Sequence, residues 1–303
     1  MYINLLVNRK NVKECENHMI TVFTATYNRK SQLQELYRSL QKQSYKDFEW
    51  IIVDDGSQDN TEKVVEEFKK NNDMKILYKY KENGGKMSAY NMGVELANGD
   101  IFLCIDSDDL AVENSLKIVA EKYEEIKDNG ELAGLAFLDV DRKTKEVIGT
   151  KFPQNGLVDT YYNIYNLYKV KGDKSFIFKT NILKNYSFPQ LGKEKFVPEA
   201  WLFNKICEKY KIKCYNIPVI DVEYLEEGYS KNYFKLAKNN PLGQVLYYKE
   251  LYALEPTLYN VAAYDMYSIF AKEGFMKTIK KHPNKLKAIA MYLPALYKAI
   301  TKR

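Results

Sequence analysis

Apolar residues in the first half of the chain follow two alternating rhythms: short, nearly unbroken hydrophobic runs, and stretches where apolar positions recur three and four residues apart. Residues 19–24 form the first run, which breaks at Ala25-Thr26-Tyr27-Asn28-Arg29 and reads as a strand with its exit loop. A helix follows. Leu33, Leu36, Tyr37 and Leu40 share one face, and Ser31 with Gln34 three residues later predicts a capping box at the helix start. Residues 48–53 are apolar except for Glu49 and predict a second strand that stops at Asp54-Asp55-Gly56-Ser57. Val64, Val65 and Phe68 mark a helix beginning near Thr61, and residues 76–80 a third strand. Asn83-Gly84-Gly85 breaks the chain before a helix over 86–97, ended by Asn98-Gly99. Residues 100–105 predict a fourth strand that stops at Asp106-Ser107-Asp108-Asp109, followed by a helix over 113–128 and a strand over 132–140.

Buried strands alternating with amphipathic helices predict a mostly parallel sheet covered on both faces, an α/β architecture. Ligands in such sheets bind beyond the carboxyl ends of the strands. Both Asp clusters are predicted at such ends. Residues 150–222 are less regular and richer in Gly, Pro and aromatics, as expected of a substrate-facing half, and the chain shows no internal repeat.

Composition narrows the class further. With 303 residues, 46% hydrophobic and 28% charged, the chain can bury a sizeable core and is unlike a disordered or fibrous protein. No uncharged run approaches the roughly 20 residues of a membrane span. The stretch 288–297 has ten residues and contains Pro294. The polar start reads as neither signal peptide nor ordered element, with residues 1–18 as an extension and Met19 as an alternative start. Cys15, Cys104, Cys207 and Cys214 lack CxxC spacing, which argues against a zinc site or disulfide framework and for a reduced, cytoplasmic setting.

Charge is unevenly distributed. The chain carries +6 in total, yet residues 270–303 hold nine basic side chains against one acid, Glu273, a local charge of +8. Leu286, Ile289, Leu293, Leu296, Tyr297 and Ile300 are interleaved with these lysines, the mixture expected of helices lying on an anionic membrane surface. No nucleic-acid-binding module accompanies the basic residues, so nucleic acid is not an expected partner.

Three aspartates within four positions at the end of a buried strand repel one another unless a cation or hydrogen-bond donors occupy the site. Hard oxygen ligands suit Mg²⁺ or Mn²⁺, so Asp106 and Asp108 predict a divalent ion held between protein and a diphosphate. An Asp-rich turn that caps the next helix is the plainer alternative, and Asp54-Asp55-Gly56-Ser57 carries the same ambiguity. Gly84-Gly85 before a helix offers backbone amides to an anion. The chain lacks the GxGxxG and GxxxxGK[ST] spacings of dinucleotide and P-loop sites, which weakens an oxidoreductase or NTPase reading.

Taken in order and at these separations, Ala25-Thr26-Tyr27-Asn28-Arg29, Val53-Asp54-Asp55-Gly56-Ser57-Gln58-Asp59, Asn83-Gly84-Gly85-Lys86 with Asn91 and Gly93, and Asp106-Ser107-Asp108-Asp109 resemble the family 2 inverting glycosyltransferases of the GT-A fold, bacterial polysaccharide type. The resemblance covers about residues 19–225. It implies a Rossmann-like GT-A domain there, with a nucleotide-binding half over 19–110 and an acceptor half over 111–225, followed by a basic amphipathic helical region over 226–303. Thr26 and Tyr27 would border the nucleotide of a UDP-sugar donor, and Asp55 or Asp54 would bond the base. Lys86 and Asn91 would lie by the nucleotide-sugar, while Asp106 and Asp108 would touch ribose, diphosphate and Mn²⁺ or Mg²⁺, with Asp109 assisting. The acceptor would be a saccharide, lipid-linked at the inner face of a bacterial membrane.

Inverting transfer also needs a base for the acceptor hydroxyl. The family places it at a pair of acids well after the DxD; here the matching residue is Glu199, with Ala200 where the second acid stands and Glu194 as the fallback. Trp201 suits either a sugar face or the core. Gly172-Asp173-Lys174, Glu223-Tyr224 and Gly228-Tyr229-Ser230 resemble segments that line the acceptor side or close over the diphosphate. The histidine ligand of many metal-dependent relatives has no counterpart, since His18 and His282 stand elsewhere. Two other readings stay open: a nucleotidyltransferase, although Tyr27-Asn28-Arg29-Lys30 occupies the place of its Gly-rich loop, and a membrane-associated binding module without turnover.

Overall fold

A computed structural model describes residues 18–223 and 229–301 of the chain. The expected N-terminal extension, Cys15, Tyr224, Gly228, Lys302 and Arg303 lie outside the described residues, apart from His18 at the end of that extension.

The chain opens as βα repeats: β1 (Ile20–Thr26), α1 (Lys30–Gln41), β2 (Phe48–Asp54), α2 (Thr61–Asn71), β3 (Lys75–Tyr80), α3 (Lys86–Leu96) and β4 (Ile101–Cys104). Next come β5 (Leu110–Ala111), α4 (Ser115–Glu124), β6 (Leu132–Asp141), β7 (Val158–Asp159), α5 (Tyr161–Asn166), β8 (Lys174–Lys179), α6 (Thr180–Leu183), α7 (Glu199–Cys207) and β9 (Lys211–Val222). Five helices follow: α8 (Tyr229–Asn239), α9 (Pro241–Leu254), α10 (Leu258–Phe270), α11 (Phe275–Lys281) and α12 (Lys285–Thr301). The sheet runs β3-β2-β1-β4-β8-β6-β9-β5, with β7 also on β9. Its first four strands are parallel, as are β6 and β9, while β8 lies antiparallel between β4 and β6. The α/β class, flanking helices and helical C-terminal region are as expected from the sequence, and the second half of the sheet is mixed.

Near-continuous burial explains the apolar strands. β1 and β2 send alternate residues to two cores, with Val22, Trp50 and Ile52 on one face of the sheet and Phe23, Ile51 and Val53 on the other. Leu33, Leu36 and Leu40 of α1 are fully buried against the first face, each contributing about 1.5–3 kcal/mol. α3 covers the second face so closely that a Cβ on Gly93 would stand 2.2 Å from the Phe23 ring. Glu49, the one charged residue of β2, is accommodated by hydrogen bonds from Thr21 Oγ1 (2.9 Å) and the Asn98 amide (2.7 Å) and by an ion pair with Lys75. Burial alone would raise its carboxyl, but these donors pull the pKa below the ordinary value.

The expected capping box does not form. Arg29 is the N-cap of α1, without a side-chain bond, and Ser31 is already inside the first turn. The Lys30 amide instead donates to Asp59 Oδ2 at 3.0 Å, a partner from the next βα unit.

In the C-terminal region α10 packs between α9 and α12. α12 presents small residues inward, with Ala288, Ala295 and Ala299 buried. Its large apolar residues face out, with Leu286 82%, Leu293 72% and Tyr297 72% exposed, alongside Ile289 and Ile300. Among the described residues no helix is long and apolar enough to cross a membrane.

Candidate active site

Parallel pairing brings the carboxyl ends of β1, β2 and β4 side by side. Thr26 is level with Asp54, the Asp55 amide donates to the Thr26 carbonyl (2.9 Å), and the Ile105 amide to that of Phe23 (2.9 Å). Beyond these tips lies a cleft of about 970 Å³. Thr26, Tyr27, Asp55, Lys86, Asp106, Asp108 and Glu199 all line it.

Adjacent residues at a strand end point opposite ways. Of the aspartate pair, Asp55 reaches the cleft and Asp54 does not. Asp54 accepts from the Ser57 amide (2.7 Å) and the Tyr78 hydroxyl (2.7 Å), fixing a turn in which Gly56 takes a φ of +94°. Asp55 accepts from the amides of Gly84 (2.8 Å) and Gly85 (2.7 Å) and from Lys81 Nζ (2.7 Å). The anion seat expected at Gly84-Gly85 is thus filled by the protein's own carboxylate. Asn91, expected by the donor, lies away from the cleft, where its amide group donates to the Phe188 carbonyl (2.8 Å) and accepts from the Phe188 amide (2.9 Å).

Lys86 stands at the centre of the charged wall. Its Nζ lies 2.7 Å from Asp106 and 2.9 Å from Glu199 Oε1. Burial would depress this ammonium, but Asp106 and Glu199 override it and hold the pKa well above the ordinary lysine value. Arg29 pairs with Asp108 at 2.6 Å. Burial and the Asp106 charge still push the Asp108 carboxyl up, against the pull of Arg29. Asp109 is pushed well up by burial and then by Asp106 and Asp108, and its Oδ1 accepts from the Glu223 amide at 3.1 Å. Clustered carboxylates, with Asp106 raising both Asp108 and Asp109, are the donor chemistry a hard divalent cation neutralises, so Asp106 and Asp108 fit Mg²⁺ or Mn²⁺. Among the described residues no group of three or more His, Cys, Asp or Glu side chains is arranged to hold a metal, so substrate and water oxygens would complete its shell.

Glu199 is the first residue of α7, after Pro198, where the positive end of the helix favours a carboxylate. Ala200, in place of a second acid, also lines the cleft. Glu194, the fallback base, is occupied elsewhere, accepting from the amides of Leu242 (2.8 Å) and Gly243 (3.2 Å) at the start of α9. Trp201 packs against the core beside Phe188, away from the cleft, and does not offer a face to a sugar there.

Several lining residues escaped the sequence reading. Asp139, on β6, is a nine-tenths-buried acid that accepts from Ser175 Oγ, and burial pushes its carboxyl up to about 7. The signal was present in the sequence as a single acid inside the apolar run 132–140. Lys174, by contrast, belongs to the Gly172-Asp173-Lys174 segment expected on the acceptor side, and with Asp173 it lines the cleft; it donates to the carbonyls of Ile148 (2.8 Å), Lys171 (2.9 Å) and Asp173 (2.9 Å), and burial lowers its pKa. Tyr233, Asn240 and Tyr247 bring α8 and α9 into the cleft wall, so the helical region shares the site.

The family model described as Glycosyl transferase family 2 matches residues 21–180. Glycosyltransferase GlyG of Streptococcus pneumoniae serotype 4 is 33% identical over 109 residues, which cover 36% of this chain and 36% of that protein. Poly-beta-1,6-N-acetyl-D-glucosamine synthase of Staphylococcus aureus is 31% identical over 135 residues, 44% of this chain and 32% of that one. The matched stretch therefore spans about a third of the length of these relatives. Among solved structures, S. aureus TarS 1–349 superposes with a TM-score of 0.61 at 18% identity, covering 94% of this chain and 92% of TarS 1–349. The same TarS fragment is known with UDP-GlcNAc. Mannosyltransferase PcManGT from Pyrobaculum calidifontis, in complex with GDP-Man and Mn²⁺, gives 0.56 at 18% identity, covering 94% of this chain and 84% of that one. At that identity the likeness is one of fold.

Proposed function

The chain belongs to glycosyl transferase family 2, and from that premise we propose that it moves a sugar from a nucleotide-diphosphate donor, UDP-linked, to a saccharide hydroxyl with inversion. One observation carries the reading: a single cleft holds Asp106, Asp108 and Glu199, with Lys86 bridging Asp106 to Glu199.

In this reading Glu199 accepts the proton of the acceptor hydroxyl as its oxygen attacks the anomeric carbon from the face opposite the nucleotide. The bond from that carbon to the diphosphate breaks with its electron pair on the phosphate oxygen. Lys86 and Arg29, paired with Asp106 and Asp108 in the cleft wall, would face that growing negative charge as fixed cations. Thr26, Tyr27 and Asp55 border the nucleotide, and the Thr26 hydroxyl is buried without a partner. Asp106 and Asp108 would hold Mn²⁺ or Mg²⁺, which supplies Lewis-acid stabilisation of the leaving diphosphate.

The acceptor we propose is a lipid-linked saccharide, in bacterial surface polysaccharide synthesis at the cytoplasmic face of the membrane. The outward apolar stripe of α12, flanked by Lys285 and Lys298 in a region of +8, supports contact with an anionic lipid surface. On this reading the α/β unit ends near residue 225 and the helices after it serve as the membrane-facing part.

Transfer from UDP-N-acetylglucosamine, assayed with Mn²⁺, tests the chemistry. Asp108→Ala and Glu199→Gln should each cost about 10²–10⁴-fold in rate. Equal rates in all three proteins would overturn the assignment, and pyrophosphate release from UTP and a sugar phosphate would favour a nucleotidyltransferase.

A further inference from the structure

Glu199 follows a strap, residues 194–198, that the C-terminal helices hold in place. At the start of α9, Pro241 has no amide to donate, and Asn240, the N-cap, makes no side-chain bond to its own helix. The free amides of Leu242 and Gly243 are instead capped by Glu194, while Asn240 Oδ1 accepts from the Lys195 amide at 2.8 Å. Helix and strap thus each satisfy the other's backbone.

Two glycines close the joint. A Cβ on Gly243 would stand 2.2 Å from the Phe196 carbonyl oxygen, and one on Gly85, whose φ is +89°, 2.2 Å from that of Lys195. The strap is therefore pressed between α9 on one side and the loop before α3 on the other, where Lys195 Nζ also donates to Asn83 Oδ1 (2.6 Å). Three residues beyond Phe196, Glu199 meets Lys86, itself the first residue of α3.

We propose that Glu194 and Asn240 are positioning residues through which the C-terminal helices set Glu199 against Lys86 at the donor site. This rests on reading Glu199 as the base. Its consequence is that the helical region is part of the catalytic machinery as well as an attachment surface.

The test combines steady-state kinetics with UDP-N-acetylglucosamine and backbone hydrogen exchange of the full chain. Glu194→Ala should lower kcat about 10–100-fold while leaving the donor KM within about twofold, because a displacement near 1 Å costs that much in a reacting site. Glu194→Gln, which keeps a carbonyl acceptor, should recover most of the loss. Gly243→Ala is the sharper variant: its Cβ cannot fit without moving the Phe196 carbonyl, so kcat should fall, and a retained cooperative melting transition separates that displacement from unfolding. Exchange at 195–199 should quicken about tenfold in Glu194→Ala. An unchanged kcat, or quickened exchange confined to α9, would overturn the proposal. A wild-type chain that transfers no sugar, but whose strap loosens in Glu194→Ala, would instead refute the base reading and leave the joint standing.

Discussion

Glu49 and Asp265 are equally buried and differ in almost everything else. Glu49, in the sheet, has 1% exposure and four donors around its carboxylate, while Asp265, in α10, has 0% exposure and neither oxygen has a hydrogen-bond partner. The donors pull Glu49 below its ordinary pKa despite burial; burial alone pushes Asp265 up to about 7. At Glu49 the sheet supplies counter-groups for a buried charge. The helical half keeps an acid inside without partners and turns leucines and a tyrosine outward on α12.

The largest effect should come from Glu49→Ala, which strands the Thr21 hydroxyl and the Asn98 amide and should cost about 3 kcal/mol, read as a fall in melting temperature of about 6–12 °C. A loss no greater than that of Asp265→Ala would erase the contrast.

Opposite pH slopes sharpen it. A depressed Glu49 contributes stability that is present above pH 4.5 and is lost as pH falls through its folded pKa. A raised Asp265 contributes stability that is full below pH 3.8 and is lost as pH rises through about 7. Asp265→Asn should therefore stabilise the protein at pH 8, by about 1–2 kcal/mol, and flatten its melting profile between pH 4 and 7. A steeper profile in the variant would count against an unpartnered carboxylate.

Leu293→Gln, alone or with Leu286→Gln, should change stability by less than about 0.5 kcal/mol, since both side chains are exposed. Co-sedimentation with vesicles containing anionic lipid should nevertheless drop severalfold. Undiminished binding, or a dimer in solution that the substitutions split, would show that another partner covers this face.

Much of the sheet was legible because a strand buried on both faces must be apolar throughout, and because Asp clusters at its ends are easily seen. Side-chain direction was harder to read. Nothing in Asp54-Asp55 tells which residue faces the cleft until Thr26 and Asp54 are in register. Asn91 sits on the expected helix, yet its amide is matched by Phe188, a partner no local pattern announces. Ser31 made a plausible cap, and Asp59 displaced it from another βα unit. The wall built by α8 and α9 was invisible for the same reason, because Glu194 and Asn240 meet only after the chain has closed on itself.

The antiparallel strand at the centre of the sheet has a bearing on biogenesis. β3, β2, β1 and β4 can pair as soon as residue 104 has emerged from the ribosome, but β4 gains its second neighbour only when residues 178 and 179 arrive. At about 5–20 residues per second that interval lasts several seconds. During it a hydrophobic edge, Ile101-Phe102-Leu103-Cys104, stands open to other nascent chains, so yield in a cell should depend on chaperone supply more than the finished fold suggests.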